Sequence, residues 1–221
     1  CNCLQGGMSS HQKEIVMNTQ EFGSAFLVNI EGIDGSGKGT QAALLKDALE
    51  AEGITAAVLS FPQYQNTFFG QMVGEYLDGN VDDLRAIPPF LFSLLYALDR
   101  FETKPKLIRL MQTHDVVILD RYVSSNVAHQ CAKVPPDEQQ ELQRDILYTE
   151  YEVLGMPVPD MSILLDTTIE ASQQLIAAKA QRDYTDKAAD AHEGDTDYLE
   201  RTRNAYHWLQ DKKWEIGRAH V

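Results

Sequence analysis

The sequence is short of cysteine, of positive charge and of long apolar runs. Its 3 cysteines offer neither a disulfide framework nor a metal-ligand spacing, and a reducing cytoplasm suits them. Cys1 and Cys3 fall in a ragged leader, and Cys131 reads as a small apolar filler. No apolar run approaches the roughly 18 residues of a membrane span, so no membrane partner is expected. Lys and Arg number 19 against 33 Asp and Glu, and the net charge of −14 argues against a general nucleic-acid binder. Phosphate-bearing substrates would need local cations to hold them against that field.

The two ends read as foreign to the fold. Residues 1–21 begin without Met, lack the charged and apolar regions of a signal peptide, and are expected to be a non-native or disordered leader. Residues 215–221 resemble a translated adapter, which predicts that a natural C-terminal strand is cut short. Residues 22–214 suffice for one α/β domain with a full core.

Within that domain, short continuous apolar runs recur at 26–30, 56–61, 116–119 and 161–165. Runs of this kind suit strands covered on both faces rather than half-solvated ones. Helical segments fall between them, at about 40–52, 67–78, 88–113, 124–132, 137–155, 169–180 and 196–212. Gly53 follows the first helix as a C-terminal glycine should. Strand–helix alternation predicts a parallel sheet with right-handed crossovers and ligands at the carboxyl ends of the strands.

The first of those ends carries the strongest motif. Gly32, Ile33, Asp34, Gly35, Ser36, Gly37, Lys38, Gly39 and Thr40 form a glycine-rich turn between the first strand and the first helix. This is the layout of a phosphate-binding P-loop. The glycines let backbone N–H groups turn inward, the helix adds its positive end, and Lys38 adds a movable cation for nucleotide phosphates. The strict pattern has Ser or Thr directly after Lys; here Gly39 stands there and the hydroxyl comes at Thr40.

Other strand ends and one helix supply further candidates. Phe61-Pro62-Gln63-Tyr64 ends the second strand, with Phe61 either core or ligand and the Tyr64 phenol within reach of a phosphate. Tyr96 and Arg100 are four apart on one helical face and could stack and hydrogen-bond a base, or be a buried Tyr beside a surface Arg. Asp120 could hold Mg²⁺ through water and Arg121 clamp a second phosphate; a strand-end salt bridge is the alternative. Asn126 and His129, three apart, could both face the pocket mouth, although a lone His is usually structural. The polar stretch at about 179–197, with Lys179, Arg182 and Lys187, is either a lid over bound ATP or a solvated charge run.

Together these motifs resemble thymidylate kinase over most of residues 26–212. The resemblance rests on Glu31 to Gln41, Phe61 to Tyr64, Leu94 to Arg100, Asp120 to Gln130, and the lid-like stretch with Tyr198 and Tyr206. It implies a three-layer P-loop kinase with sheet order 2-3-1-4-5, the fifth strand truncated here. It implies transfer of the γ-phosphoryl group of ATP, with Mg²⁺, to dTMP in the cytoplasm, by a homodimer. Lys38 and the loop amides would hold the ATP phosphates. Asp34 would meet the acceptor's 3′-hydroxyl and the Mg²⁺ shell, Arg121 would hold the acceptor phosphate, and Asp120 and Thr40 would face the metal. Tyr96 would stack on thymine, Arg100 and Asn126 would contact the acceptor, and His129 stands where Tyr or Phe usually sits near the sugar. Tyr64 stands where some members carry Arg. Gly35 stands where one subgroup carries a P-loop Arg, and Arg182 of the lid would supply that cation instead. A kinase for another pyrimidine nucleotide or nucleoside, and an inactive nucleotide-binding module, are the alternatives.

Overall fold

Strand β1 (Phe26–Glu31) runs through the middle of the molecule, and five of its six residues are buried. The computed structural model describes residues 22–78, 87–182, 195–209 and 214–218; the side chains at 179–182 and 218 lie outside that description. β1 is followed by α1 (Lys38–Ala51), β2 (Ala56–Ser60), α2 (Phe68–Leu77), α3 (Pro89–Thr113), β3 (Val116–Asp120) and α4 (Val123–Cys131). Then come α5 (Pro136–Leu147), β4 (Met161–Asp166), α6 (Ile169–Arg182), α7 (Thr196–Leu209) and β5 (Trp214–Arg218). The strands form one sheet in the order β2-β3-β1-β4-β5 with every pairing parallel. This is the three-layer arrangement and strand order that the resemblance implies.

Alternation along β3 shows why its apolar run is unbroken. Val117 and Leu119 join the larger core cluster with Leu27, Val123 and Tyr206, while Ile118 joins Ile30 and Ala42 in a second cluster. Successive strand residues point to opposite faces, so both faces must be apolar when helices cover both. α1 closes as its sequence predicts: Gly53 lies at φ 79°, Ile54 N–H donates to the Leu49 carbonyl (3.0 Å), and Gly53 N–H donates to that of Glu50 (3.0 Å). That pair of bonds is the Schellman closure.

Two expectations are corrected. A fifth strand is present: Trp214–Arg218 pairs with β4 from Ser162↔Trp214 to Asp166↔Arg218. Residues 215–218, which the sequence pattern groups with the tail, pair as part of the sheet. Glu215 and Ile216 are exposed along this edge strand, so it lacks the apolar run that marks the others. The helix predicted over 137–155 widens after Leu147 into a π-helical stretch, Tyr148–Val153. There the Thr149 hydroxyl donates to the Asp145 carbonyl (2.8 Å), and Leu154 N–H reaches back five residues to Thr149 (2.9 Å). The leader 1–21 and most of the stretch 179–197 lie outside the described residues. Among the described residues, no helix is long and apolar enough to cross a membrane.

Candidate active site

β1 delivers the chain to the carboxyl edge of the sheet, where the loop after Glu31 turns into α1. Gly37 is the N-cap of α1 at φ 85°, a region that side chains rarely adopt. Gly35, at φ 74°, is pressed against α6: a Cβ there would lie 2.6 Å from the Ser172 carbonyl oxygen and 2.7 Å from Ile176 Cγ1. The Ser172 hydroxyl donates to the Asp34 carbonyl and fastens the loop to that helix. A long side chain at position 35 has no room on this backbone.

The Lys38 ammonium is buried and donates to the carbonyls of Gly32 (3.0 Å) and Ile33 (2.7 Å) and to Ser36 Oγ (3.3 Å). Burial, then the Arg121 guanidinium, brings it from 10.5 down to about 7, against the pull of Asp34, Asp120 and Glu31. Asp120 ends β3 opposite Ile30. Its Oδ2 lies 3.2 Å from where a Cβ of residue 39 would stand, so a side chain there would press on the carboxylate. Thr40 is exposed on the first turn of α1. Asp34, paired with Arg121, Asp120, beside Gly39, and Thr40 carry hard oxygen donors of the kind that suits a Mg²⁺ borne by phosphates with several of its waters. Among the described residues, no group of three or more His, Cys, Asp or Glu could grip a metal unaided.

Directly after β3, Arg121 adopts φ 66°, the one positive value among the described residues other than glycine. Such strain persists only where the surroundings over-determine it. Here they do. Its N–H donates to the Ile30 carbonyl (3.0 Å), Nη1 to the Gly32 carbonyl (3.3 Å) and Ser125 Oγ (3.2 Å), and Nη2 to the Asp34 carboxylate. Burial works against its charge, but Asp34, with Tyr206, Glu31 and Asp120, outweighs it and holds the guanidinium above its ordinary value. Nη1 also meets His129 Nε2 (3.3 Å). A guanidinium only donates, so Nε2 accepts and the proton belongs on Nδ1, which faces the Tyr198 hydroxyl at 2.9 Å.

One cavity is lined by Asp34 and Arg121 from the loop side, by Phe61, Tyr64 and Tyr96, and by Arg100, Asn126 and His129. All the acceptor-side candidates therefore meet. Phe61 is both core and lining: it is buried and its ring lies 5.9 Å from that of Tyr122. Asp99 holds the loop that carries Phe61 and Tyr64, accepting from Gln63 N–H (3.2 Å) and from the Thr67 hydroxyl. Tyr96 packs edge-on against Phe92 at 5.3 Å. Arg100 is not a surface cation: it is 2% exposed and its Nε donates to both oxygens of Glu150 (3.1 and 3.0 Å). Asn126 Nδ2 donates to the same Glu150 (3.1 Å) and to the Ser93 carbonyl (3.0 Å). Cys131 is a filler as predicted, and burial pushes its thiol up to about 12. Arg182 is the last residue of α6, and its side chain lies outside the described residues.

Two carboxylates escaped the sequence reading. Glu31 is fully buried and accepts from Asn29 Nδ2 (3.0 Å), Tyr122 N–H (3.0 Å), the Ser125 hydroxyl and the Tyr206 hydroxyl (3.2 Å). An acidic residue closing an apolar strand was the available signal. Glu150 gives no such signal, since an acid in a polar helix reads as solvent-facing.

Known proteins resemble this chain over most of its length. A family described as thymidylate kinase matches residues 30–220. The thymidylate kinase of Mycobacterium tuberculosis (strain CDC 1551 / Oshkosh) is 35% identical over 188 residues, covering 85% of this chain and 87% of its own. A probable thymidylate kinase of Thermococcus onnurineus is 33% identical over 167 residues, 73% of this chain and 76% of its own. The structure of thymidylate kinase from Candida albicans shares the fold, with a TM-score of 0.67 at 23% identity over 88% of this chain and 84% of that one. This chain belongs to the thymidylate kinase family.

Proposed function

We propose that this chain phosphorylates dTMP to dTDP with ATP and Mg²⁺ as a soluble, cytoplasmic homodimer. The observation that carries the reading is Arg121, held between the P-loop and a cavity that Arg100, Asn126 and Tyr96 also line. A guanidinium beside a P-loop suits an acceptor that already bears a phosphate, and an aromatic ring with fixed polar groups suits its base.

Lys38, the loop amides and the N-terminus of α1 bind the donor phosphates, and Arg121 orients the acceptor phosphate toward them. Asp34 keeps Arg121 in place and lies at hand for a sugar hydroxyl. Asp34, Asp120 and Thr40 would hold Mg²⁺, which when bound neutralises charge on the phosphates. His129 Nε2, turned to Arg121, and Tyr64 border the acceptor. Arg182 adds a cation from the lid. Phosphoryl transfer depends on positioning and electrostatics, so the reading needs no strong base.

ADP release with MgATP is measured against dTMP, dUMP, dCMP, AMP and thymidine, for the wild type and Arg121→Lys. The reading predicts preference for dTMP, with KM for dTMP raised about tenfold or more in the variant, which loses the fork geometry. Turnover of thymidine but not dTMP would overturn the acceptor assignment. Nucleotide binding without turnover by the folded chain would favour a binding module.

A further inference from the structure

We propose that Glu150 sets base selectivity by locking Asn126 and Arg100 in the hydrogen-bonding orientation that suits a pyrimidine with a 4-oxo group and a protonated N3. The inference rests on the acceptor being a pyrimidine monophosphate, as proposed above, and adds a residue that never touches it. Glu150 is fully buried, although Tyr148, Glu152 and Val153 around it in the π-helical stretch are exposed. The wide turn carries this one carboxylate inward, a use to which such turns are often put.

Both protons of the Asn126 amide point at atoms that only accept, the Ser93 carbonyl and Glu150 Oε1. Flipping the amide would set its oxygen against a carbonyl and a carboxylate. Oδ1 is thereby fixed as the remaining group, and it is buried without a partner while Asn126 lines the cavity. An unsatisfied buried acceptor is costly, and a ligand N–H removes the cost. Glu150 takes Nε and one proton of Nη2 of Arg100, so the remaining N–H groups, chiefly those of Nη1, are left to donate. One fixed acceptor and one fixed donor match N3–H and O4 of thymine or uracil. Cytosine reverses both, with a bare N3 and a 4-amino group, and meets acceptor with acceptor and donor with donor.

The test compares dUMP with dCMP, which differ at those two positions alone. Turnover and calorimetric binding are measured for the wild type, Glu150→Gln and Glu150→Asp. The wild type should favour dUMP by at least about 100-fold. Gln can donate to Asn126 and release its amide. Asp keeps a counter-charge for Arg100, which protects the fold, but draws the carboxylate back from Asn126. In each the dUMP/dCMP ratio should narrow by at least about tenfold, through KM of the acceptor and not of ATP. A counter-ion for Arg100 with only a structural role would lower both acceptors together, so an unchanged ratio in either folded variant overturns the proposal. A wild type that neither binds nor phosphorylates any pyrimidine monophosphate overturns the acceptor reading itself, and this inference with it.

Discussion

Gly35 and Gly37 offer a paired perturbation that isolates how the P-loop is held. Both have positive φ, 74° and 85°, so replacing either by Ala carries a similar backbone strain of about 1–2 kcal/mol. Their surroundings differ. A Cβ at Gly37 meets nothing within 4 Å, whereas one at Gly35 would stand 2.6 Å from the Ser172 carbonyl and 2.7 Å from Ile176 Cγ1. Neither obstacle is the loose end of a long side chain, so α6 must shift, adding about 1–3 kcal/mol of overpacking. Gly35→Ala should therefore lose about 2–5 kcal/mol and Gly37→Ala about 1–2. At about 2–4 °C per kcal/mol for a chain of this size, the two melting temperatures should differ by about 2–12 °C. Differential scanning fluorimetry and urea denaturation of the two variants measure it. Equal losses would refute the claim that the loop is packed against α6.

Two further perturbations test the charged groups. Lys38 falls to about 7 in the folded chain from 10.5, so unfolding takes up a proton between those values. Wild-type stability relative to Lys38→Met should rise with pH above about 7, by at most about 1.4 kcal/mol per unit; a flat difference in denaturation across that window would contradict the burial. Asp166 accepts from Arg203 Nε (2.6 Å) and Nη2 (3.0 Å) and meets His207 (3.1 Å). Burial pulls its carboxyl up, but Arg203 and His207 outweigh that and hold it below 3.8. Asp166→Asn should cost about 1–3 kcal/mol at neutral pH. That deficit should shrink as acid protonates the wild-type carboxylate, and a deficit independent of pH would place the loss elsewhere.

The sequence made legible whatever depends on local pattern. The β1–P-loop–α1 unit and four of the strands lie where apolar runs and motif spacing put them, and the acceptor-side candidates that the resemblance named line one cavity. β5 was implied by the resemblance and not by apolar pattern, because an edge strand needs no continuous apolar run, and Glu215 and Gly217 disguise it. The π-helical turn was missed because the residues of 148–153 carry the same helical pattern as those before them, and nothing local marks the change of period. Glu31 and Glu150 escaped for a deeper reason. A buried carboxylate is stable only through partners distant in sequence, and Glu150 finds Arg100 fifty residues away and Asn126 twenty-four away. His129 was legible as a candidate, but its tautomer follows from Arg121 and Tyr198, which only the fold brings to it.

On the proposed function, this site joins the γ-phosphoryl group of ATP to the phosphate of dTMP. Phosphorus NMR of the purified chain with MgATP and dTMP tests it most directly. Resonances of dTDP should grow in step with those of ADP, with no phosphate release in the absence of acceptor. ADP accompanied by inorganic phosphate in place of dTDP, or no product from a folded chain that binds both nucleotides, would contradict it.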